Sequence, residues 1–226
     1  MTLARRLTAE TLGTALLLTA VVGSGIMAER LAGDNGAIAL LANALATGAT
    51  LITLIFTFGP VSGAHFNPAV TIAIALRAAM AWRDVPFYLA AQVIGALAGV
   101  AAAHLMFGEA LLQISQHQRS GMPQLFSEFV ATFGLLCVIF GCAYSRREIV
   151  PVAVGLYITG AYWFTASTSF ANPAVTFARS FTNTFAGIRP VDAPGFIAAQ
   201  LAGAMAATLL CHWLLPAAAT TEGART

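Results

Sequence analysis

The sequence has no lysine and few charges of either sign. Its 226 residues include 11 basic residues, all of them arginine, and nine acidic ones, so charged residues make up only 9% of the chain. A soluble domain has about 25% charged residues, and a water-facing surface cannot be built from so few. This scarcity argues against a soluble enzyme, and the apolar fraction of 58% argues against intrinsic disorder.

Basic clusters, cysteine pairs and metal-binding spacings are also lacking. With a net charge of +2 and no basic run, nucleic acid is not an expected partner. Cys137, Cys142 and Cys211 form neither a CxxC pair nor an even framework, and we interpret them as small apolar packing residues. His104 and His212 stand without HxxxH or Cys/His spacing. We therefore expect no metal, no cofactor and no catalytic site.

Long neutral runs occupy most of the chain. Uninterrupted by acidic residues or arginine, they cover residues 11–28, 35–76, 85–108, 129–145, 149–178 and 193–221. A membrane-spanning helix needs about 20 apolar residues, so each run predicts one transmembrane helix. The runs 35–76 and 149–178 are too long for one span and too short for two. Each must therefore also contain a neutral segment that does not cross the membrane completely.

Arginine is distributed unequally between the two sides that six spans define. Seven arginines fall on the side of the N-terminus and four on the other. Cytoplasmic loops of membrane proteins carry the excess of positive residues. The sequence thus predicts a multi-pass protein of the cell membrane with both termini in the cytoplasm.

Blocks of the first half of the chain recur in the second half in the same order. Residues 84–108 and 192–216 are identical at nine of 25 positions. A weaker match near the start of each half aligns Glu10 with Glu128, and the pentapeptide NPAVT occurs between the matched blocks in both halves. Three collinear matches indicate a tandem duplication.

The duplication defines two repeats, 8–108 and 126–216, within a single transmembrane domain of residues 1–226. Each repeat carries three predicted spans, and because three is odd, the second repeat enters the membrane from the opposite side. The result is an inverted repeat with a pseudo-two-fold axis in the membrane plane. Under that symmetry the two NPAVT segments enter from opposite faces and meet at the midplane.

Each NPAVT box begins with residues that favour the start of a helix. Asparagine is a preferred N-cap, and proline is favoured at the first helical position because no amide hydrogen is needed there. Each box therefore predicts a re-entrant half-helix of about 8–10 residues, from a rise of 1.5 Å per residue. The residues of the two boxes are Asn67, Pro68, Ala69, Asn172, Pro173 and Ala174.

The segments that lead to the boxes, 59–63 and 167–169, are poor helix material. Non-helical backbone at membrane depth is tolerated only where it is buried in protein or lines a wet cavity. Two helix N-termini at one midplane place about half a positive charge each there, which repels cations. The amides of Asn67 and Asn172 can donate hydrogen bonds to a passing oxygen. The pattern predicts a pore that passes neutral hydroxylated solutes and resists ions.

In these features the sequence resembles the aquaporin and aquaglyceroporin (major intrinsic protein) family. The resemblance covers roughly residues 8–216 and is carried by the two Asn-Pro-Ala boxes, SGAHFNPAV at 62–70, AE-x-x-GT at 9–14 and the three-plus-three repeat. It implies an all-α membrane protein with six transmembrane helices and two re-entrant half-helices. It also implies one pore per subunit, a homotetramer in the lipid bilayer and passive flow of water or small uncharged solutes.

The resemblance also implies a filter of four residues: Thr47, Gly160, Ser169 and Val175, with Tyr162 as a rival for the place of Gly160. The family usually has an arginine where Val175 stands and an aromatic residue where Thr47 stands. A filter of small residues without arginine is expected to be wide. We therefore expect a passive channel for glycerol, water and metalloid hydroxides such as arsenous acid. A water-selective aquaporin and an inverted-repeat secondary transporter are the alternatives.

Four further polar residues are candidates for roles near the pore. Glu10 and Glu128 lie at equivalent intramembrane positions, and we expect each to accept hydrogen bonds from backbone amides of the nearby re-entrant segment rather than to couple protons. His65 is expected to line the cytoplasmic vestibule, where its titration is a possible pH gate. Arg179, four residues past Val175, either extends to the membrane interface or places a guanidinium at the outer mouth.

Overall fold

The described residues, 1–215, form eight α-helices and three short 3₁₀ turns in this computed structural model, and they contain no strand. The C-terminal end of the chain, including the last residue of the predicted second repeat, lies outside them. The helices are α1 (Leu3–Ala32), α2 (Gly36–Ser62), α3 (Pro68–Leu76), α4 (Val85–Phe107), α5 (Met122–Ser145), α6 (Val150–Phe164), α7 (Pro173–Ala178) and α8 (Ala193–Leu214).

Five of the described helices, α1, α2, α4, α5 and α8, are long and apolar enough to cross a membrane. The 15 residues of α6 span about 22 Å at 1.5 Å per residue. The 3₁₀ turn Arg147–Ile149 directly before α6 lengthens this sixth crossing. With the short helices α3 and α7, the chain has the predicted all-α membrane fold of six transmembrane helices and two half-helices.

The two half-helices begin at the prolines that the sequence predicted. α3 starts at Pro68 and has nine residues, within the expected length. α7 starts at Pro173 but has only six, which is shorter than expected. The reason is that the chain tightens into a 3₁₀ turn over Arg179–Phe181, directly after α7.

The first approach segment is shorter than the sequence predicted. Residues 59–62 belong to α2, with Pro60 inside the helix, and the chain leaves the helix only at Gly63, where φ is 92°. A proline in the last turn removes a single backbone hydrogen bond. The following turn is held because the Gly63 N–H donates to the carbonyl of Gly59 at 3.0 Å. The expectation of non-helical backbone over 59–63 was therefore wrong for its first four residues.

The two halves of the chain pack in the same way. α1 packs against α4 and α2, and in the second half α5 packs against α8 and α6. A Cβ atom added at Gly95 of α4 would collide with the carbonyl oxygen of Thr11, and one added at Gly203 of α8 would collide with that of Phe129. These contacts join equivalent positions of the two repeats. Small residues permit such close helix contact within membranes.

Each half-helix buries its apolar side chains in the core of the opposite half. Val175 and Ala178 of α7 belong to a cluster built mainly from α1 and α4, whereas Val70 and Ala73 of α3 belong to a cluster built from α5, α6 and α8. This exchange fixes the start of each half-helix against the other repeat. It brings the two NPAVT boxes to the same place in the molecule.

Candidate functional site

Asn67 and Asn172 cap the two half-helices and link the two halves of the chain. The Oδ1 atom of each accepts a hydrogen bond from the backbone N–H two residues further on, at 2.9 and 3.0 Å. The Nδ2 atom of Asn67 donates to the carbonyl oxygen of Ala171 at 2.8 Å, and Nδ2 of Asn172 donates to that of Phe66 at 2.8 Å. The tips of the two half-helices are therefore joined by reciprocal bonds.

Within residues 1–215, both asparagine side chains retain an N–H donor that makes no hydrogen bond. A side-chain amide carries two N–H donors, and one of them makes the bond across the two halves. Asn67 and Asn172 both line the same cavity. The second N–H of each amide is thus available to an oxygen atom of a molecule in that cavity.

The segments that enter the boxes carry backbone strain at equivalent positions. The angle φ is 50° at Ala64 and Phe66 and, 105 residues further on, 50° at Ser169 and 49° at Ala171. Non-glycine residues in this left-handed region cost about 1–3 kcal/mol each. Surrounding groups must impose this backbone conformation, and two buried carboxylates do so.

The first of these carboxylates belongs to Glu10, which is 0% exposed. Its Oε1 atom accepts hydrogen bonds from the Ser62 hydroxyl at 2.7 Å and the His65 N–H at 3.0 Å. Its Oε2 atom accepts from the Phe66 N–H and from Gln92 Nε2, both at 2.8 Å. The Glu10 side chain therefore holds the approach segment that precedes Asn67.

Glu128 occupies the equivalent position in the second half and is also 0% exposed. It accepts hydrogen bonds from the backbone N–H groups of Phe170 and Ala171, each at 2.9 Å, and from Gln200 Nε2 at 2.6 Å. Within the described chain, neither glutamate lines the cavity. Both carboxylates are directed toward backbone amides, and this geometry favours a structural role over proton coupling.

A continuous cavity of about 990 Å³ passes both asparagines. At one end it opens beside Arg147 and Glu148, in the connection between α5 and α6, and at the other end it reaches Tyr162 and Arg179. His65 lies on its wall, with Nδ1 at 3.1 Å from a threonine hydroxyl of α3. The structure thus places His65 on the cavity wall, and its role in a cytoplasmic vestibule and as a pH gate stays a prediction.

The end of the cavity contains three of the four residues expected in the filter. Thr47, Ser169 and Val175 all line it, and Tyr162 lies opposite Thr47 with the two hydroxyl oxygens 3.2 Å apart. Gly160 is not among them, because it lies on the exposed face of α6. Residues two apart on a helix point in nearly opposite directions. Of the two candidates for this position, the structure therefore places Tyr162 rather than Gly160 on the cavity wall, beside the smaller Thr47, Ser169 and Val175.

Arg179 also lies at this end of the cavity, and it does not extend to the membrane interface. It is 2% exposed, its Cζ atom lies 3.4 Å from the ring centroid of Phe170, and its Nε donates to the carbonyl oxygen of Ala186. The 3₁₀ turn that follows α7 keeps the side chain inside the protein. Val175 stands where an arginine was expected to be missing, but Arg179 brings a guanidinium to the same end of the cavity.

A second arginine near the cavity had no signal in the sequence. Arg119 lies between the two repeats, and its Cζ is 5.1 Å from the Phe170 ring centroid. Its Nε donates to the carbonyl of Gly187 at 2.8 Å, and its backbone N–H donates to Asp192 at 2.9 Å. Burial lowers the pKa of the Arg119 guanidinium. Arg119 joins the loop between α4 and α5 to the segment that follows α7.

An inverted repeat whose two half-helices meet beside a continuous cavity defines a membrane channel. The model for the family described as "Major intrinsic protein" matches residues 1–166, and the chain belongs to this family. Members of the family are channels rather than enzymes, and the chain is accordingly a multi-pass membrane channel.

Individual relatives agree with this assignment. The chain is 58% identical over 213 residues to the aquaglyceroporin AqpS of Rhizobium meliloti (strain 1021), which covers 94% of this chain and 91% of that protein. It is 34% identical over 165 residues to aquaporin NIP1-1 of Oryza sativa subsp. japonica, with 68% of this chain and 55% of the rice protein covered. The chain thus spans about half the length of that plant relative.

A solved structure shares the fold. The aquaglyceroporin from Plasmodium falciparum superimposes with a TM-score of 0.70 at 21% sequence identity, over 95% of this chain and 96% of the other. At that identity the likeness supports the arrangement of helices and does not extend to the solute.

Proposed function

We propose that the protein is a passive channel for small uncharged solutes, including glycerol, water and metalloid hydroxides such as arsenous acid. The observation that carries the proposal is the pair of asparagine amides at the meeting point of α3 and α7, each with one N–H free toward the cavity. The aquaglyceroporin relative at 58% identity supports glycerol as a solute.

Neutral solutes suit the electrostatics of this meeting point. The N-termini of two helices contribute about half a positive charge each, which disfavours cations. An oxygen atom that accepts from both Asn67 and Asn172 turns its own hydrogens away from them. In a water molecule held this way, the chain of hydrogen bonds needed for proton transfer is interrupted.

The constriction has one apolar side and one polar side. Val175 contributes methyl groups, whereas Thr47, Tyr162 and Arg179 contribute hydroxyl or guanidinium groups. Polyols and trihydroxy metalloids carry several hydroxyl groups on a small frame and fit such an asymmetric lining. The valine at position 175 favours passage of solutes larger than water.

A solute panel on the purified protein in liposomes tests the proposal. Stopped-flow light scattering with glycerol, arsenous acid and an impermeant osmolyte compares solute flux with water flux. We expect water, glycerol and arsenous acid to pass without saturation and without dependence on a proton or sodium gradient. Flux confined to water would favour the water-selective alternative, and saturable, gradient-dependent uptake would favour a secondary transporter.

The proposal extends to assembly and orientation. We propose one domain with two repeats, one pore per subunit and a homotetramer in the bilayer, with both termini in the cytoplasm. The excess of arginine on the side of the N-terminus supports the orientation. Native mass spectrometry tests the tetramer, and protease accessibility of an N-terminal tag in sealed vesicles tests the orientation.

A further inference from the structure

Arg179 and Val175 occupy the same wall of the cavity at different depths. They are four residues apart, so Arg179 lies about 6 Å further along the half-helix axis on a similar face. Both residues line the cavity, and among the described residues no side chain later in the sequence than Arg179 does so. Arg179 lies in the cavity wall at the start of the connection between α7 and α8.

The guanidinium of Arg179 is held in place by groups that leave its terminal nitrogens unbound. Its Nε donates to the carbonyl of Ala186, and its plane lies over the ring of Phe170. In the part of the chain that the structure describes, no group accepts a hydrogen bond from either terminal nitrogen. The side chain is nevertheless 2% exposed and lines the cavity. The two terminal nitrogens are therefore available to donate hydrogen bonds to a solute in the cavity.

The positive charge of Arg179 is not cancelled by a neighbouring carboxylate. No acidic group of residues 1–215 forms an ion pair with it. The buried carboxylate of Glu128 already accepts from two backbone amides and from Gln200. Arg119 adds a second positive charge beside the Phe170 ring. Arg119 and Arg179 thus place two guanidinium groups against the Phe170 ring, beside the single carboxylate of Glu128.

We propose that Arg179 is the specificity-determining residue that excludes cations from this channel. It supplies a guanidinium to the constriction from one helical turn beyond position 175. Val175 then sets the width of the passage and Arg179 sets its charge, so the two properties are carried by separate residues. The inference rests on the proposed channel function, which it deepens.

Two substitutions at position 179 separate charge from shape. Arg179→Met removes the charge and keeps a long side chain, whereas Arg179→Lys keeps the charge and loses the planar fork. The matched control is Arg30→Met, because Arg30 is half-exposed, pairs with Glu109 and does not line the cavity. Each variant is reconstituted in liposomes, and uptake of guanidinium ion and of glycerol is measured in parallel.

We expect Arg179→Met to raise guanidinium uptake by about tenfold or more, since one charge is a dominant barrier in a narrow pore. Glycerol uptake, measured on the same vesicles, reports whether the variant is folded and open. Arg179→Lys and Arg30→Met should remain closed to guanidinium. If Arg179→Met conducts glycerol and still excludes guanidinium, the inference about Arg179 is wrong and the proposed channel function stands. A wild-type protein that conducts no neutral solute would instead overturn the proposed function.

The lysine variant keeps the test valid if Arg179→Met does not fold. Raising the pH removes the charge of lysine but not that of arginine. Guanidinium uptake through Arg179→Lys should then increase with pH while the wild type stays closed. A lysine variant that excludes guanidinium equally over the whole range of pH would contradict the inference.

Discussion

The side-chain amide of Asn67 donates a 2.8 Å hydrogen bond to the carbonyl oxygen of Ala171, in the opposite half of the chain. The same side chain caps α3 by accepting from the backbone N–H two residues further on. One residue therefore supports a helix end, the junction of the two repeats and the wall of the cavity. Its replacement has consequences that an ordinary helix cap does not have.

We predict that Asn67→Ala destabilises the protein by about 2–4 kcal/mol, from a lost cap of about 1 kcal/mol and a buried carbonyl left without its donor. The matched control is Asn35→Ala, since Asn35 caps α2 at an exposed position through a 3.2 Å bond to the Ile38 N–H and makes no bond to the other repeat. Thermal unfolding in detergent should show a clearly larger loss for Asn67→Ala. Equal losses would mean that the bond to Ala171 contributes nothing.

The buried glutamates give a second prediction. Glu10→Gln and Glu128→Gln each replace an acceptor oxygen by an amide group that faces N–H donors. Hydrogen bonds to a charged acceptor contribute about 1.5–3 kcal/mol each, so we expect each variant to lose at least about 2 kcal/mol of stability. Glu109→Gln is the control, because Glu109 is partly exposed and accepts from the side chains of Arg30 and Gln113 rather than from a re-entrant backbone.

The outcome for solute flux distinguishes structure from proton coupling at these positions. If the carboxylates only hold the backbone, variants that still fold should conduct glycerol at all pH values with the same dependence as the wild type. A glutamine variant of normal stability whose uptake no longer responds to a proton gradient would instead support the transporter alternative. Differential scanning fluorimetry and flux assays on the same preparation give both readouts.

The third prediction concerns which residue of α6 faces the pore. Gly160→Leu should leave glycerol and water flux unchanged, because a Cβ atom there meets only Phe164, at 3.9 Å, on an exposed face. Tyr162→Leu should increase the flux of polyols larger than glycerol, because it removes a ring and a hydroxyl from the constriction. If Gly160→Leu abolishes glycerol flux, Gly160 does belong to the filter.

The parts of the fold that depend on residues adjacent in the sequence could be predicted from local sequence rules. Asparagine is a preferred N-cap and proline a preferred first helical residue, so Pro68 and Pro173 were correctly predicted as the first residues of α3 and α7. The duplication similarly predicted that the two NPAVT boxes meet, since the two halves enter the membrane from opposite sides. The length of α7 was wrong because the tightening at Arg179 depends on the loop that follows it.

Contacts between distant segments could not be predicted in the same way. The choice between Gly160 and Tyr162 depends on the rotation of α6 about its axis, and a shift of two residues reverses the face that points inward. The stacking of Arg119 and Arg179 on Phe170 joins three separate segments. Because the loop that contains Arg119 lies outside both repeats, the duplication carries no information about it.

The last prediction concerns the substitution of arginine for Val175, a position where the family usually has arginine. In Val175→Arg, a guanidinium would enter the cavity about one turn from that of Arg179. Added volume and a second charge should narrow the passage, so we expect glycerol flux to fall by about tenfold or more while water flux persists, as a smaller pore selects smaller solutes. Val175→Thr is the control, because it keeps the shape of valine and should conduct glycerol. Stopped-flow measurements on both variants check this. If Val175→Arg conducts glycerol as well as the wild type, the narrowest point of the pore lies elsewhere than at Val175.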